Sequence, residues 1–217
     1  MLEQGRIRVS AIEGPFSQER EGTEPVKLIE IKYPGERYVH FAIGDIAKAS
    51  ADVLILPLNF QSVAEDADSE LSFIEPLIER CGFTIAYVKQ RIQEGTARQL
   101  ILKETGGSIR RGELGCIALV DFDPTEGNLN QLKGILQEVL LGLGSSDIKS
   151  VALPFISIPT TERLVSFYAY IREVSDLLLG SSLSQIQIVE HCVGGSGPRG
   201  LDQYQYIVDL LQLLLTT

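Results

Sequence analysis

Three short apolar runs constrain this chain more than anything else in its sequence. Val53–Leu58 (VLILPL), Val151–Ile156 (VALPFI) and Ile186–Val189 (IQIV) are nearly or wholly without the apolar–polar alternation of a half-exposed strand. Such runs predict strands covered on both faces, as in a parallel sheet whose crossover helices form outer layers. The intervening segments have the matching periodicity. Leu71, Ile74, Leu77 and Ile78 form one helical stripe within Ser69–Arg80, and Ile85, Val88 and Ile92 form another within Thr84–Gln93. Leu132, Ile135, Leu136, Val139 and Leu140 mark a helix that Asn128 or Asn130 caps and that Gly142 and Gly144 end. Another helix starts at Thr160 or Thr161 and runs to about Leu179, and a last one spans Leu201–Leu215.

The first third reads differently. Val26–Tyr33 (VKLIEIKY) alternates, Pro34-Gly35 supplies a turn, and Glu36–Ile43 (ERYVHFAI) resumes an extended pattern, which predicts an antiparallel hairpin at a sheet edge. Gly5–Ile12 is a further short strand and Gln18–Pro25 a polar loop. Gln99–Lys103 and Leu114–Phe122 read as strands around the turn-forming Gly106-Gly107. Pro57 places the end of its strand nearby, or that strand near an edge. The expected fold class is therefore α/β: a three-layer α/β/α sandwich with a mostly parallel central sheet and an antiparallel N-terminal hairpin. With 217 residues, no internal repeat and no low-complexity linker, one domain over 1–217 is expected, residues 1–36 being a strand-rich extension.

Charge and cysteine usage narrow the function classes. A net charge of −10 repels phosphate backbones and anionic membrane surfaces, so neither nucleic acid nor membrane is an expected partner. A small nucleotide is still accommodated, because a nest of backbone N–H groups binds phosphate whatever the global charge. Met1–Arg6 has no apolar signal core, and no apolar run approaches the roughly 20 residues of a membrane span. Cys81, Cys116 and Cys192 fit neither a disulfide framework nor a C-x-x-C motif and are expected reduced. The expected compartment is the cytoplasm. Two histidines without ligand spacing, and an acidic cluster (Glu65, Asp66, Asp68, Glu70) without an EF-hand glycine, predict no metal site and a solvated acidic loop.

His40–Phe60 (HFAIGDIAKASADVLILPLNF) resembles the opening of a macro domain, the family that binds ADP-ribose. Gly44-Asp45-Ile46 matches the family's Gly-Asp-Ile, and Asp52–Asn59 matches its Asp-Ala-Ile-Val-Asn-Ala-Ala-Asn in the first and last residues and the apolar middle. The resemblance implies that Asp45 accepts from an adenine amino group, that the Ile46 N–H donates to the ring, and that Asn59 sits by the distal ribose. Val151–Ile158 is similar to a later family strand whose following loop, here starting at Ser157, wraps the diphosphate. The departures are equally specific. Leu56 replaces the first asparagine of a pair, Phe60–Glu70 stands where the family has a glycine run, and Ile158-Pro159-Thr160-Thr161 follows Ser157. Purely local readings compete for two of these residues: Asp45 as a turn-forming aspartate and Asn59 as a cap of the next element.

Gly195-Ser196-Gly197-Pro198-Arg199-Gly200 matches G-x-G-x-x-G between a strand and a helix, so Gly195, Gly197 and Arg199 are candidate phosphate contacts. The acidic ribose contact that completes a dinucleotide fingerprint is not in place about 20 residues on. Pro198 rules out a nucleophile elbow at Ser196. The residues thus predict a divergent macro-like domain that binds ADP-ribose or a related nucleotide, with no catalytic residue, no bound cofactor and no efficient hydrolase activity. The rival expectation is a pocket-less scaffold that contacts a protein partner or a second copy.

Overall fold

The computed structural model describes residues 6–9, 25–65, 71–72, 74–95, 98–103, 116–122, 129–142, 148–155 and 163–190. These form one sheet of eight strands in the order β1-β2-β3-β8-β7-β4-β6-β5. The strands are β1 (Arg6–Val9), β2 (Val26–Tyr33), β3 (Arg37–Ile43), β4 (Val53–Leu58), β5 (Gln99–Lys103), β6 (Cys116–Asp121), β7 (Ser150–Pro154) and β8 (Gln185–Glu190). The three apolar runs are β4, β7 and β8, which lie side by side and mutually parallel, as their composition requires. β3 and β6 extend the parallel block at either side, and β5 closes it antiparallel to β6.

The N-terminal hairpin is β2–β3, turning through Gly35 (φ 79°) and Glu36 (φ 55°). It is not itself the edge, because β1 pairs antiparallel outside β2. Pro57 is likewise not on an edge strand, since β4 is central. Its missing N–H is harmless for a local reason. The Leu58 carbonyl accepts from Phe122 N at 3.0 Å, so Leu58 faces β6 and Pro57 faces the β7 side. On that side the β4–β7 ladder has already stopped, at Leu54 opposite Ala152. The reading of Pro57 as a mark of ending pairing holds, and the edge reading does not.

Side chains alternate between two cores, one on each face. Val53, Ile55, Val151, Leu153, Ile186 and Ile188 point to the layer formed by α4 (Leu129–Gly142) and α5 (Arg163–Leu179). Leu54, Leu56, Leu58, Ile117 and Leu119 point to the layer of α1 (Phe60–Glu65), α2 (Glu75–Arg80) and α3 (Ile85–Glu94). The helical stripe Leu71, Ile74, Leu77, Ile78 is buried there as predicted, with Cys81 beside it. Cys116 is also buried, and desolvation pushes its thiol up to about 12, so it stays protonated. The segment Phe60–Glu65, for which the sequence pattern predicts no element, is helical, with Phe60 and Val63 sharing a buried face. Among the described residues no helix is long and apolar enough to cross a membrane, and no group of three or more His, Cys, Asp or Glu side chains is placed to hold a metal.

One buried carboxylate fixes the middle of the sheet. Asp52, 3% exposed, precedes β4, and its Oδ2 accepts from the N–H groups of Lys149 and Ser150 at 2.8 Å each. In return the Asp52 N–H donates to Ser150 Oγ (3.0 Å) and Ser150 O (3.1 Å). Charge-assisted bonds of this kind contribute about 1.5–3 kcal/mol each, and removing the carboxylate leaves buried donors unmet.

His40 gives the fold a pH dependence. It lies on β3 with the ring 3.1 Å from Glu30 Oε2 on β2, and the residue is 3% exposed. Burial, then the nearby Lys27 charge, lower its pKa below the usual 6.5, with Glu30 opposing the shift. The folded state therefore holds His40 neutral where the unfolded chain takes up a proton, and stability falls as pH drops through about 6.5. Urea midpoints followed from pH 8 to pH 5 are expected to fall, with a smaller fall below pH 6.5 in His40→Gln.

Candidate functional site

All five strands of the parallel block end at one edge, where Gly44, Asp45, Ile46 and Asn59 lie. Gly44-Asp45-Ile46 follows β3 and Asn59 follows β4, while β6 ends on Asp121, β7 on Pro154 and β8 on Glu190. Ser157, Gly195, Gly197 and Arg199 lie outside the described residues; the strands leading to them, β7 and β8, end at this same edge. The order in which strands are added reverses between β4 and β7, which run parallel: β4 is followed by helices of the α1–α3 layer and β7 by α5 of the α4–α5 layer. Such a switch point leaves a crevice outside the carboxyl ends of the strands, where open α/β sheets bind ligands. Here the ladder between these two strands also stops short, at Leu54 opposite Ala152.

At the β3 exit the backbone has a shape that only glycine adopts easily. Gly44 has φ 148°, and a Cβ there would come within 3.0 Å of Pro25 Cα. Its N–H donates to Glu190 O at 3.0 Å, tying the ends of β3 and β8 together. Asp45 then caps a 3-10 turn at Ile46–Lys48, with Oδ1 accepting from Ala47 N at 2.9 Å. Its Oδ2 is 3.6 Å from Lys48 Nζ, and the Asp45 side chain is 43% exposed. The turn-forming reading of Asp45 is thus correct as local structure. It does not consume the carboxylate, which has about four acceptor positions. The Ile46 N–H takes no part in the hydrogen bonds of its own turn.

At the β4 exit Asn59 is the N-cap of α1. Its Oδ1 accepts from Ser62 N and its carbonyl from Val63 N, each at 3.0 Å. The capping reading is therefore the observed one. Asp121, which sequence reasoning did not single out, completes this corner. It is register partner to Leu58 across β4–β6, and its Oδ1 accepts from Phe60 N at 3.0 Å. The one sequence signal for it was a lone acidic residue ending an apolar strand (CIALVD).

A second missed group anchors the β7 exit. Tyr170 on α5 is fully buried, which drives its phenol pKa upward, and its hydroxyl donates to Pro154 O at 2.9 Å. Its ring meets Phe155 edge-on at 5.4 Å, and Phe155 meets Phe41 edge-on at 6.0 Å. Phe155 N donates to Val189 O at 2.8 Å. Phe155 is therefore held in a fixed orientation at the end of β7.

Comparison with solved structures identifies this architecture as the macrodomain fold. A mutant macrodomain of Oceanobacillus iheyensis matches with a TM-score of 0.52 over 88% of this chain and 96% of that one, at 12% identity. The same organism's macrodomain with ADP matches with a TM-score of 0.50, over 82% of this chain and 93% of that one, also at 12% identity. No protein-family model and no curated protein matches the sequence.

The capping role of Asn59 has a direct consequence. Asn59→Ala is expected to lose about 1 kcal/mol of stability in chemical denaturation, and Asn59→Asp, which keeps the acceptor, to lose far less.

Proposed function

We propose that this is a divergent macro-like domain that binds ADP-ribose or a closely related nucleotide at the carboxyl edge, without efficient hydrolase activity. The observation that carries the reading is the β3 exit: a half-exposed carboxylate, an N–H with no role in its own turn and a positive-φ glycine, in sequence as Gly44-Asp45-Ile46. A carboxylate beside an N–H that its own turn does not use is a matched acceptor–donor pair for an adenine edge, where an amino group neighbours a ring nitrogen. The β4–β7 switch point, between the second and third strand exits counted from β3, is the path for the rest of the ligand. An ADP-bound relative of the same fold supports the ligand class. Ser157, Gly195, Gly197 and Arg199 are the proposed phosphate contacts.

The rival reading, a scaffold that contacts a protein partner or a second copy, is favoured by one observation. Asp45 and Asn59 both already serve as caps of their own local structure. Calorimetry with ADP-ribose separates the two. Binding is expected, weakened by about 1–3 kcal/mol in Asp45→Ala through loss of a charge-assisted bond to the base. Absence of heat with ADP-ribose, ADP and AMP at millimolar concentration favours the scaffold.

The negative part concerns catalysis. Hydrolysis at a ribose needs a water held in line and a group to orient it. Helix α1 follows Asn59 where the resemblance to macro domains implies a glycine run, and Asn59 caps that helix. Incubation with ADP-ribosylated protein is expected to release little or no ADP-ribose. Robust release that disappears in Asn59→Ala would overturn this.

A further inference from the structure

We infer that Asp121 is the residue that distinguishes ADP-ribose from ADP, by accepting hydrogen bonds from the hydroxyls of the distal ribose. The assignment rests on the nucleotide reading above and adds a specificity-determining residue to it. Three observations carry it. Asp121 ends β6 at the carboxyl edge and is exposed, so its carboxylate stands in solvent rather than in the core. Its direction is fixed at both ends. Its own N–H donates to Arg98 O at 2.8 Å, and Oδ1 accepts from Phe60 N at 3.0 Å. The third observation is its neighbour: Phe60 follows Asn59, so carboxylate and asparagine occupy one corner between adjacent strands.

Strand order then decides which part of a ligand meets this corner. From the β3 exit, with Asp45, the exits of β8, β7, β4 and β6 follow in turn. Four steps of the usual inter-strand spacing place the β6 exit about 19 Å from that of β3. A ligand anchored by adenine at Asp45 and laid across these exits presents its diphosphate in the middle and its second ribose at β4 and β6. ADP, which stops at the diphosphate, has no group there. A carboxylate suits the ribose end for a plain reason. It accepts hydrogen bonds from sugar hydroxyls, whereas beside a diphosphate it would repel.

The test is calorimetric, with ADP-ribose and ADP titrated into the full chain and its Asp121→Asn variant. Asparagine keeps an Oδ1 for the Phe60 N–H but loses the charge and the second carboxylate oxygen. We expect Asp121→Asn to bind ADP-ribose about tenfold or more weakly, the loss of one charge-assisted bond, while ADP affinity holds or rises. Asp121→Ser, which keeps a hydroxyl acceptor, is expected to behave alike, and thermal unfolding of both variants shows whether the fold is kept. Equal loss for both nucleotides would reduce Asp121 to a cap of α1 and overturn the assignment. Unchanged or tighter ADP-ribose binding would overturn it as well. If the unsubstituted chain binds neither nucleotide, the nucleotide reading itself falls and this assignment with it; if it binds both and only the discrimination is missing, the assignment alone falls.

Discussion

The Asp52 carboxylate holds the two halves of the sheet in register. Between β4 and β7 the ladder is only two residue pairs long, Val53 with Val151 and Leu54 with Ala152. So short a pairing is a weak seam at the centre of an eight-stranded sheet. Two charge-assisted bonds accepted by Oδ2, and two that the Asp52 N–H donates to Ser150, reinforce it at its closed end. Everything at the carboxyl edge is measured from this seam. Asn59 and Asp121 belong to the half carrying β4 and β6, and Asp45 to the half carrying β3 and β8.

What the sequence made legible follows from the range over which each signal acts. Burial on both faces leaves its mark within a strand, so β4, β7 and β8 could be read from composition alone, and β2 and Gln99–Lys103 have the boundaries their patterns suggest. Pairing across the sheet leaves no such mark. Nothing in CIALVD announces that its last residue will meet the N–H of Phe60, 61 positions earlier. Nor does Asp52 announce its bonds to Lys149 and Ser150. Helix α1 was missed for another reason. Six residues are too few for a period to show, and the acidic run after it masked the buried pair Phe60 and Val63.

Capping by the edge residues is compatible with the recognition proposed for them. A side chain that caps its own turn is held in one rotamer before any ligand arrives, so less entropy is lost on binding. Asp45 is fixed through Oδ1 with Oδ2 near Lys48, and Asp121 through Oδ1. In a chain of net charge −10, two carboxylates at the edge add to an unfavourable field for phosphate, and salt that screens the field helps an anionic ligand to approach.

The early end of the β4–β7 ladder gives the edge a mechanical character. Past Leu54 and Ala152 the two strands form no further register pair, while each stays paired to its other neighbour to the end of the strand. They are built like the blades of a pair of scissors riveted at Asp52. No register pair past that rivet opposes a change in their separation, so a change of width at the edge leaves the rest of the sheet's pairing intact.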